Sequence, residues 1–461
     1  MNRKVGYLGL GVALGAAATV AAPQALSYMS PAAYAAAADT YRQLNLFGDV
    51  FDKIRTDYVE KPDEAKLIEA AINGMLASLD PHSSYMDAKA FKDMQVQTKG
   101  EFGGLGIEVT QEDGLVKVVT PIDDTPAAKA GVLSGDIITA IDDQSTQGLT
   151  LDQAVEKMRG AINSPVKLKV TRGPKKEVKE FTIVRDLIKV QSVRSHVEDS
   201  DIAYIRITQF TEQTAEGLKA AMDKLRTDIP ADKFKGYILD LRNNPGGLLD
   251  QSIDVVNSFI DKGEIVSTRG RTPEETQRFD ARPGGDLSGG KPVVVLINGG
   301  SASASEIVSG ALQDHKRATL IGTRSFGKGS VQTIMPLGQE GALRLTTARY
   351  YTPSGRSIQA KGIEPDYKVL EDVPDDLKGK DDMKGEASLK GHLANGEEDT
   401  SGSQAYVPPE EKDDKQLAAA VGLLHGVKPP EATTARDDKG DAAKVPTPSA
   451  AAAPTDPAKP N

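Results

Sequence analysis

The residues with the clearest chemical potential lie in two turns built from small residues, one at Ser303 and one at Lys328. Ser303 follows the apolar run PVVVLIN and precedes a helical pattern from Ala304 to Gln313. At such a strand-to-helix turn the helix N–H groups point outward and the helix dipole favours negative charge. That environment suits the oxyanion of acyl transfer, so Ser303 is interpreted as a nucleophile.

The same serine also has a purely structural interpretation. Ser303 and Glu306 have the S-x-x-E spacing of a capping box, in which each side chain bonds to the other residue's backbone N–H. Taken alone, this spacing requires nothing more than the start of a helix.

A serine hydroxyl is a weak nucleophile and needs a general base. Of the five histidines, His315 is nearest in the chain, but it lies in the polar turn DHKR. Lysine can serve as the base where burial lowers its pKa enough to leave the amine neutral. Lys328 lies between two glycines and beside Phe326, so we predict that it is the base and that Gln332 orients its amine.

The second turn allows a competing interpretation. Residues Gly322 to Lys328 read GTRSFGK and fit the phosphate-loop pattern G-x-x-x-x-G-K. Gly329 then stands where that pattern needs the Ser or Thr that holds magnesium, and no Walker-B-like strand is evident. Nucleotide binding is kept as the weaker alternative.

A β-rich stretch from Val96 to Ile188 resembles a PDZ domain. The resemblance depends on the GLGI loop at Gly104–Ile107 and on the later stretch AAKAGVLSGDI. A PDZ domain holds a terminal carboxylate on backbone N–H groups and pairs a sheet edge with the peptide. This assigns peptide binding to Leu105, Gly106 and Ile107, although glycines in such a loop can also serve only a tight turn.

The composition and the N-terminus limit the possible partners, metal sites and location of the protein. A net charge of −10 argues against a nucleic-acid partner, and the absence of cysteine excludes disulfides, thiolate metal sites and a lipid anchor. Arg3 and Lys4 precede an apolar run, as in an export signal. The run is nearly long enough to span a bilayer, so cleavage between Ala22 and Ala38 or an uncleaved anchor both stay open.

Periodicity divides the rest of the chain. We predict an α/β multidomain protein with an N-terminal helical region, a PDZ-like β-rich domain and an α/β core with buried parallel strands. The predicted parts are an export signal or anchor at 1–38, the helical region at 39–95, the PDZ domain at 96–188, the core at 189–372, and a polar C-terminal region at 373–461 with a short helix near 415–424 and a disordered tail.

Several long motifs are similar to those of the carboxy-terminal processing proteases, also called tail-specific proteases. They are SASASEIVSG, SFGKGSVQT, NNPGG, YYTPSGRSIQ, GIEPD and LDPHSSY. The resemblance implies a serine endopeptidase whose nucleophile is Ser303, whose base is Lys328 and whose assisting residue is Gln332. It also implies an oxyanion hole made by the Ala304 amide together with the amide of Gly246 or Gly247.

The resemblance extends to substrates and location. It implies that the PDZ domain captures free C-termini and that the core cleaves unfolded or flexible tails in the periplasm without a cofactor or metal. We expect a homo-oligomer with membrane contact only through an uncleaved N-terminus, and the need for an adaptor lipoprotein stays open. In some members the PDZ domain gates the site, which makes Arg159 or Arg172 a coupling residue. A non-catalytic PDZ scaffold on a degenerate protease fold is the main alternative.

Overall fold

The computed structural model describes residues 31–429 apart from 113, 123, 174, 175, 376, 379–381, 397 and 399. Most of the predicted export signal and the whole predicted disordered tail beyond 429 therefore lie outside the described residues. The chain divides into two units, the first ending at Leu79 and the second beginning at Asp80.

From residue 31 onward, the first unit forms the helices α1 (Pro31–Asp57) and α2 (Glu64–Ala77). The Asp63 side chain caps α2 by accepting a hydrogen bond from the Lys66 amide. Helix α1 continues through residue 38, where the sequence suggested a boundary. Among the described residues, no helix combines the length and apolar character needed to cross a membrane.

The second unit begins with a short strand and a helix, followed by a β-rich domain. In chain order these elements are β1 (Ser84–Met86), α3 (Ala88–Lys99), β2 (Glu101–Gly104), β3 (Ile107–Glu112), β4 (Leu115–Pro121), α4 (Pro126–Ala130), β5 (Ile137–Ile141), β6 (Gln144–Ser145), α5 (Leu151–Met158), β7 (Pro165–Arg172), β8 (Glu177–Val184) and β9 (Asp186–Lys189).

Strict alternation of apolar residues builds the core of this β-rich domain. Val166, Leu168 and Val170 on β7 are buried while their neighbours face outward, as expected for a strand with one covered face. The main sheet has the order β3-β4-β5-β7-β8, with β6 paired to β5. The separate antiparallel pair β2–β9 joins the first and last strands of the domain.

The larger α/β domain is built on a six-stranded sheet. Its elements are β10 (Val193–Glu198), β11 (Ile202–Ile207), α6 (Thr214–Asp228), β12 (Gly236–Asp240), α7 (Leu249–Asn257), β15 (Val293–Ile297), α8 (Ala304–Asp314), β16 (Ala318–Gly322), β19 (Tyr367–Lys368) and α9 (Lys415–Leu424). The order is β10-β11-β12-β15-β16-β19, parallel except for the first pair.

Helices cover this sheet on both faces, which is why its central strands are apolar along their whole length. Every residue of β12 and β15 is buried. Helices α6, α7 and α8 pack on one face. Helix α9 packs Leu417 and Ala420 on the other, and it coincides with the helix predicted near 415–424.

A second sheet lies beside the first and carries the strand that follows Lys328. Its strands are β13 (Glu264–Arg269), β14 (Gln277–Asp280), β17 (Ser330–Pro336) and β18 (Ala342–Tyr351) together with β1. The order is β1-β18-β13-β14, with β17 also paired to β18.

The polar C-terminal region is more ordered than its composition indicates. It forms a small hairpin of β20 (Asp382–Lys384) and β21 (Gly402–Gln404), and a short helical turn at Glu386–Ser388. Glu386, Ser403 and Asp414 are buried. Hydrogen bonds and ion pairs therefore attach this region to the α/β domain where apolar residues are scarce.

Candidate active site

Three loops meet at one edge of the six-stranded sheet. Strands β12, β15 and β16 are parallel neighbours, so their carboxyl ends point to the same edge. The loop after β12 contains Pro-Gly-Gly, the loop after β15 contains Ser303, and the loop after β16 contains Lys328. The topology therefore brings together motifs that are far apart in the chain, at the place where open parallel sheets bind ligands.

Ser303 has a strained backbone at the start of α8. Its φ is 55° and its ψ is −111°, in a region that non-glycine residues rarely adopt. Such conformations cost about 1–3 kcal/mol and persist where the surrounding structure fixes them. The side chain is half-buried, and its neighbours Ala302 and Ala304 are buried.

The Pro-Gly-Gly turn packs directly against this serine. A Cβ placed on Gly246 would lie 2.8 Å from the Ser303 Cβ and 2.9 Å from the Ala304 nitrogen, so only glycine fits. Asn244 joins the two loops, because its carbonyl accepts hydrogen bonds from the Ala302 N–H (3.0 Å) and the Ser305 hydroxyl (2.9 Å).

The two glycines of the turn differ in what their N–H groups do. The Gly246 N–H donates to the Asn244 Oδ1 at 2.9 Å. Within the described part of the chain, neither the Gly247 N–H nor the Ala304 N–H donates to any acceptor. Of the two glycines that the sequence left open, Gly247 thus has the N–H available to a substrate oxygen.

Glu306 connects the serine turn with the lysine turn. Its fully buried carboxylate accepts hydrogen bonds from the N–H groups of Ser303 (2.7 Å), Gly327 (2.6 Å) and Lys328 (2.9 Å), and from the Ser325 hydroxyl (2.6 Å). Burial raises the pKa of Glu306 to about 7, although these four hydrogen bonds lower it. The residue that the sequence indicated as a cap also joins the two halves of the site.

Lys328 has the environment that a lysine base requires. Burial lowers the pKa of its amine, and the charge of Arg344 lowers it further, while Glu386, Glu306 and Asp80 raise it. Within the described residues, no hydrogen bond joins the Lys328 Nζ to the Ser303 Oγ or to Gln332.

Gln332 has other partners in this structure. Its side-chain nitrogen donates to the Ser330 hydroxyl at 2.9 Å and to the Thr346 hydroxyl at 3.3 Å. Strand β17 nevertheless begins two residues after Lys328, so Gln332 lies on the element that leaves the lysine turn.

The two competing interpretations of these turns do not fit the geometry. His315 lies at the far end of α8, about 18 Å along the helix from Ser303. Its Nε2 bonds to the Glu264 carbonyl. The loop at Gly322–Lys328 leads into a strand, whereas a phosphate loop leads into a helix. Glu306 also occupies two of the N–H groups that a phosphate would need.

The loop predicted to bind peptide borders a small apolar cavity. The cavity has a volume of about 100 Å³ and is lined by Phe102, Gly104, Leu105, Gly106, Ile107, Val155, Met158 and Arg159. The Arg159 guanidinium lies 4.4 Å from the centre of the Phe102 ring. Of the two arginines proposed as coupling residues, Arg159 lines the cavity. Arg172 does not, and it pairs with Asp136 at 2.7 Å.

Sequence reasoning missed two residues near the lysine turn, His82 and Glu386. His82 belongs to the LDPHSSY motif, and its Nε2 lies 2.8 Å from the Glu386 carboxylate. Nothing in the polar sequence around Glu386 distinguishes it from other acidic residues. The side chains of His196, Glu198 and Glu411 lie close enough together to hold a metal ion, but none of them belongs to this site.

Comparisons with known proteins match the same parts of the chain. A sequence model of peptidase family S41 matches residues 201–369, a PDZ domain model matches 117–172, and the model of the activating protease CtpB N-terminal domain matches 12–90.

Individual relatives cover most of the chain. It is 59% identical over 390 residues to a carboxy-terminal-processing protease of Bartonella bacilliformis, covering 84% of this chain and 89% of that protein. It is 38% identical over 329 residues to the carboxy-terminal processing protease CtpA of Bacillus subtilis, covering 71% and 69%. The solved photosystem II D1 C-terminal processing protease is 28% identical with a TM-score of 0.41, over 72% and 95% of the two chains.

Proposed function

Because this chain belongs to peptidase family S41 and is a carboxy-terminal processing serine protease with a PDZ domain, we propose that it works with a Ser303/Lys328 dyad. Its substrates are unfolded or flexible protein tails, whose free C-termini the PDZ domain captures. The relatives support the class of reaction. The dyad and the recognition of free C-termini are inferred in addition to what the relatives support.

One observation carries the proposal of a dyad. The N–H groups of Ser303 and Lys328 both donate to the same oxygen of Glu306, Oε2, at 2.7 Å and 2.9 Å. The two backbones are therefore held within hydrogen-bond reach of one buried atom. A lysine side chain is long enough to bring its amine to a serine hydroxyl from such a position, once the side chain rotates towards it.

The proposed mechanism follows general base catalysis by a neutral amine. The Lys328 amine takes the proton from the Ser303 hydroxyl as its oxygen attacks the carbonyl carbon of the scissile peptide. The N–H groups of Ala304 and Gly247 stabilise the oxyanion that forms. The lysine ammonium then protonates the departing amine, and water hydrolyses the acyl-enzyme by the same route. Gln332 is proposed to orient the amine when the side chain turns towards Ser303.

The proposed site of action is the periplasm. Arg3, Lys4 and the apolar run after them support export, because a basic start followed by an apolar run is typical of an export signal. N-terminal sequencing of the exported protein distinguishes a cleaved signal from an uncleaved anchor. A homo-oligomer and an adaptor lipoprotein stay expectations.

The decisive experiment compares the purified protein with its S303A and K328A variants on an intrinsically disordered substrate. We expect both variants to lose cleavage completely and to retain the parental thermal unfolding, since each removes a reacting group and leaves the fold intact. Mass spectrometry of the products maps the cleaved bonds.

Two matched variants serve as controls. Ser309→Ala removes a buried hydroxyl from α8, and Lys316→Ala removes an exposed amine just after that helix. Both are expected to cleave at the parental rate. A K328A protein that still digested the substrate would refute the dyad. If the parental protein bound peptides with free C-termini but cleaved none, the scaffold alternative would be correct.

A further inference from the structure

The polar C-terminal region contributes a fully buried acidic residue, Glu386, beside the lysine turn. Its N–H donates to the Phe326 carbonyl at 2.9 Å. The preceding Gly385 lies so close that an added Cβ would be 2.7 Å from the same carbonyl oxygen. The backbone of this region thus lies directly against the residue two positions before Lys328.

The Glu386 side chain reaches the other side of the same turn. The Gly329 N–H donates to the Gln359 Oε1 at 3.0 Å, and the Gln359 Nε2 donates to the Glu386 Oε1 at 3.0 Å. Gln359 is also fully buried. The main chain of Glu386 therefore bonds to the residue before the Gly-Lys-Gly turn, and its carboxylate is linked through Gln359 to the residue after Lys328.

A buried carboxylate is costly unless a positive group compensates it. His82 is one partner, with its Nε2 at 2.8 Å and its side chain 17% exposed. The turn at Asp80 fixes His82, since the Asp80 carboxylate accepts the His82 N–H at 2.9 Å. Within the described residues, Glu386 forms no ion pair with a lysine or arginine at contact distance, so its charge is available to the Lys328 amine.

The charged groups around Lys328 come from four parts of the fold. They are Glu306 on α8, Asp80 in the turn before β1, Arg344 on β18 and Glu386 in the C-terminal region. Among these charges, Glu386 has the largest effect on the pKa of Lys328, which it raises against the effect of burial.

We propose that Glu386 is a positioning residue of the catalytic lysine, an inference that rests on the Ser/Lys dyad proposed above. Its backbone and carboxylate fix both sides of the lysine turn, and its negative charge balances the Lys328 ammonium while the enzyme is at rest. His82 holds the carboxylate in place from the opposite side. The C-terminal region thereby becomes part of the catalytic domain.

The effect of the Glu386 charge on Lys328 is tested with the full-length Glu386→Gln variant in two measurements. The first is the pH profile of cleavage of a disordered protein. The second is competitive acetylation of the Lys328 amine against pH, read by mass spectrometry in an S303A background, which needs no activity. Removing a negative charge that stabilises the ammonium lowers the pKa of Lys328. We expect both midpoints to move to lower pH by about one unit or more.

A matched control is the Glu398→Gln variant. Glu398 also lies in the C-terminal region and also pairs with a histidine, His392, at 2.8 Å. It is not among the charges with the largest effects on the pKa of Lys328. This variant is expected to leave both midpoints unchanged.

The positioning role is tested with Glu386→Asp, which keeps the charge and withdraws it by one methylene. We expect a loss in kcat of between about 10-fold and 100-fold, with a nearly unchanged KM and little shift in the midpoint. This variant also serves if Glu386→Gln does not fold.

Two results would overturn the inference: a Glu386→Gln midpoint equal to the parental one, or a Glu386→Asp protein with parental kcat. Failure of the dyad itself has a different signature, because S303A or K328A would then still cleave. The acetylation midpoint remains informative about Glu386 in that case.

Discussion

At the scale of a single residue, Ser303 has a backbone conformation that costs conformational free energy. A φ of 55° with a ψ of −111° is a conformation that glycine adopts easily and other residues do not. The sequence makes this serine the candidate nucleophile through its neighbours and its motif. The backbone angle is not predictable from them, because it arises from Gly246 packing on one side and from Glu306 holding the N–H on the other.

The strain at this position predicts a difference in stability between two variants of the proposed nucleophile. Ser303→Gly relieves the backbone strain, whereas Ser303→Ala retains it. We expect the glycine variant to have the higher free energy of unfolding, by about 1 kcal/mol, because the relief of about 1–3 kcal/mol exceeds the added flexibility of its unfolded chain. Urea unfolding of both proteins measures the difference. If the alanine variant were equally stable, the conformation would not be strained.

At the scale of elements, the site is the product of strand order. The continuous apolar runs predict that β12 and β15 are buried, and the motifs predict which loops matter. The sequence does not predict that these strands are neighbours, since parallel pairing depends on contacts between distant parts of the chain. Three loops that read as separate motifs become one site because their strands end at the same edge.

The Asn244 side chain tests this arrangement, since it ties the Pro-Gly-Gly turn to the end of β11, whereas the Asn244 carbonyl that contacts the serine turn is kept in any substitution. Its side chain accepts the Gly246 N–H and donates to the Ile207 carbonyl at 2.8 Å. Asn244→Ala frees the turn that carries the Gly247 N–H. We expect a fall in kcat of about 10-fold to 100-fold with a similar KM, because the oxyanion is held only in the transition state. Steady-state kinetics measures the two constants. An increase in KM alone would contradict the assignment, and thermal unfolding controls for loss of fold.

At the scale of the whole molecule, a buried network joins helix α9 to the chain that leads into the Pro-Gly-Gly turn. Arg242 is fully buried just before that turn, and its guanidinium bonds to Asp240 at 2.8 Å and to Asp414 at 2.8 Å. Asp414 also caps α9 through the Leu417 N–H. The amphipathic pattern predicts α9 itself. The ion pair that attaches α9 to the domain is not predictable from composition, because Asp414 does not differ in sequence from its exposed acidic neighbours.

The network predicts a large effect from a small substitution. Asp414→Asn keeps the shape of the side chain but removes one of the buried carboxylates around Arg242, which then keeps Asp240 at 2.8 Å and Glu371 at 3.9 Å. We expect the free energy of unfolding to fall by about 3 kcal/mol, as is typical when one member of a buried ion pair is removed. Denaturant unfolding measures it, with Asp413→Asn as the control because that neighbour is exposed. Equal stability of the two variants would show that Asp240 and Glu371 together satisfy the arginine.

The position of Glu386 and Asp414 along the chain has a consequence for biosynthesis. Both emerge from the ribosome long after the serine and the lysine, yet the lysine turn and the oxyanion turn depend on them for support. On the proposal made above, an unfinished polypeptide therefore carries the reacting groups without a working arrangement of them. Newly made molecules would be protected from cutting one another until the chain has been made beyond Asp414.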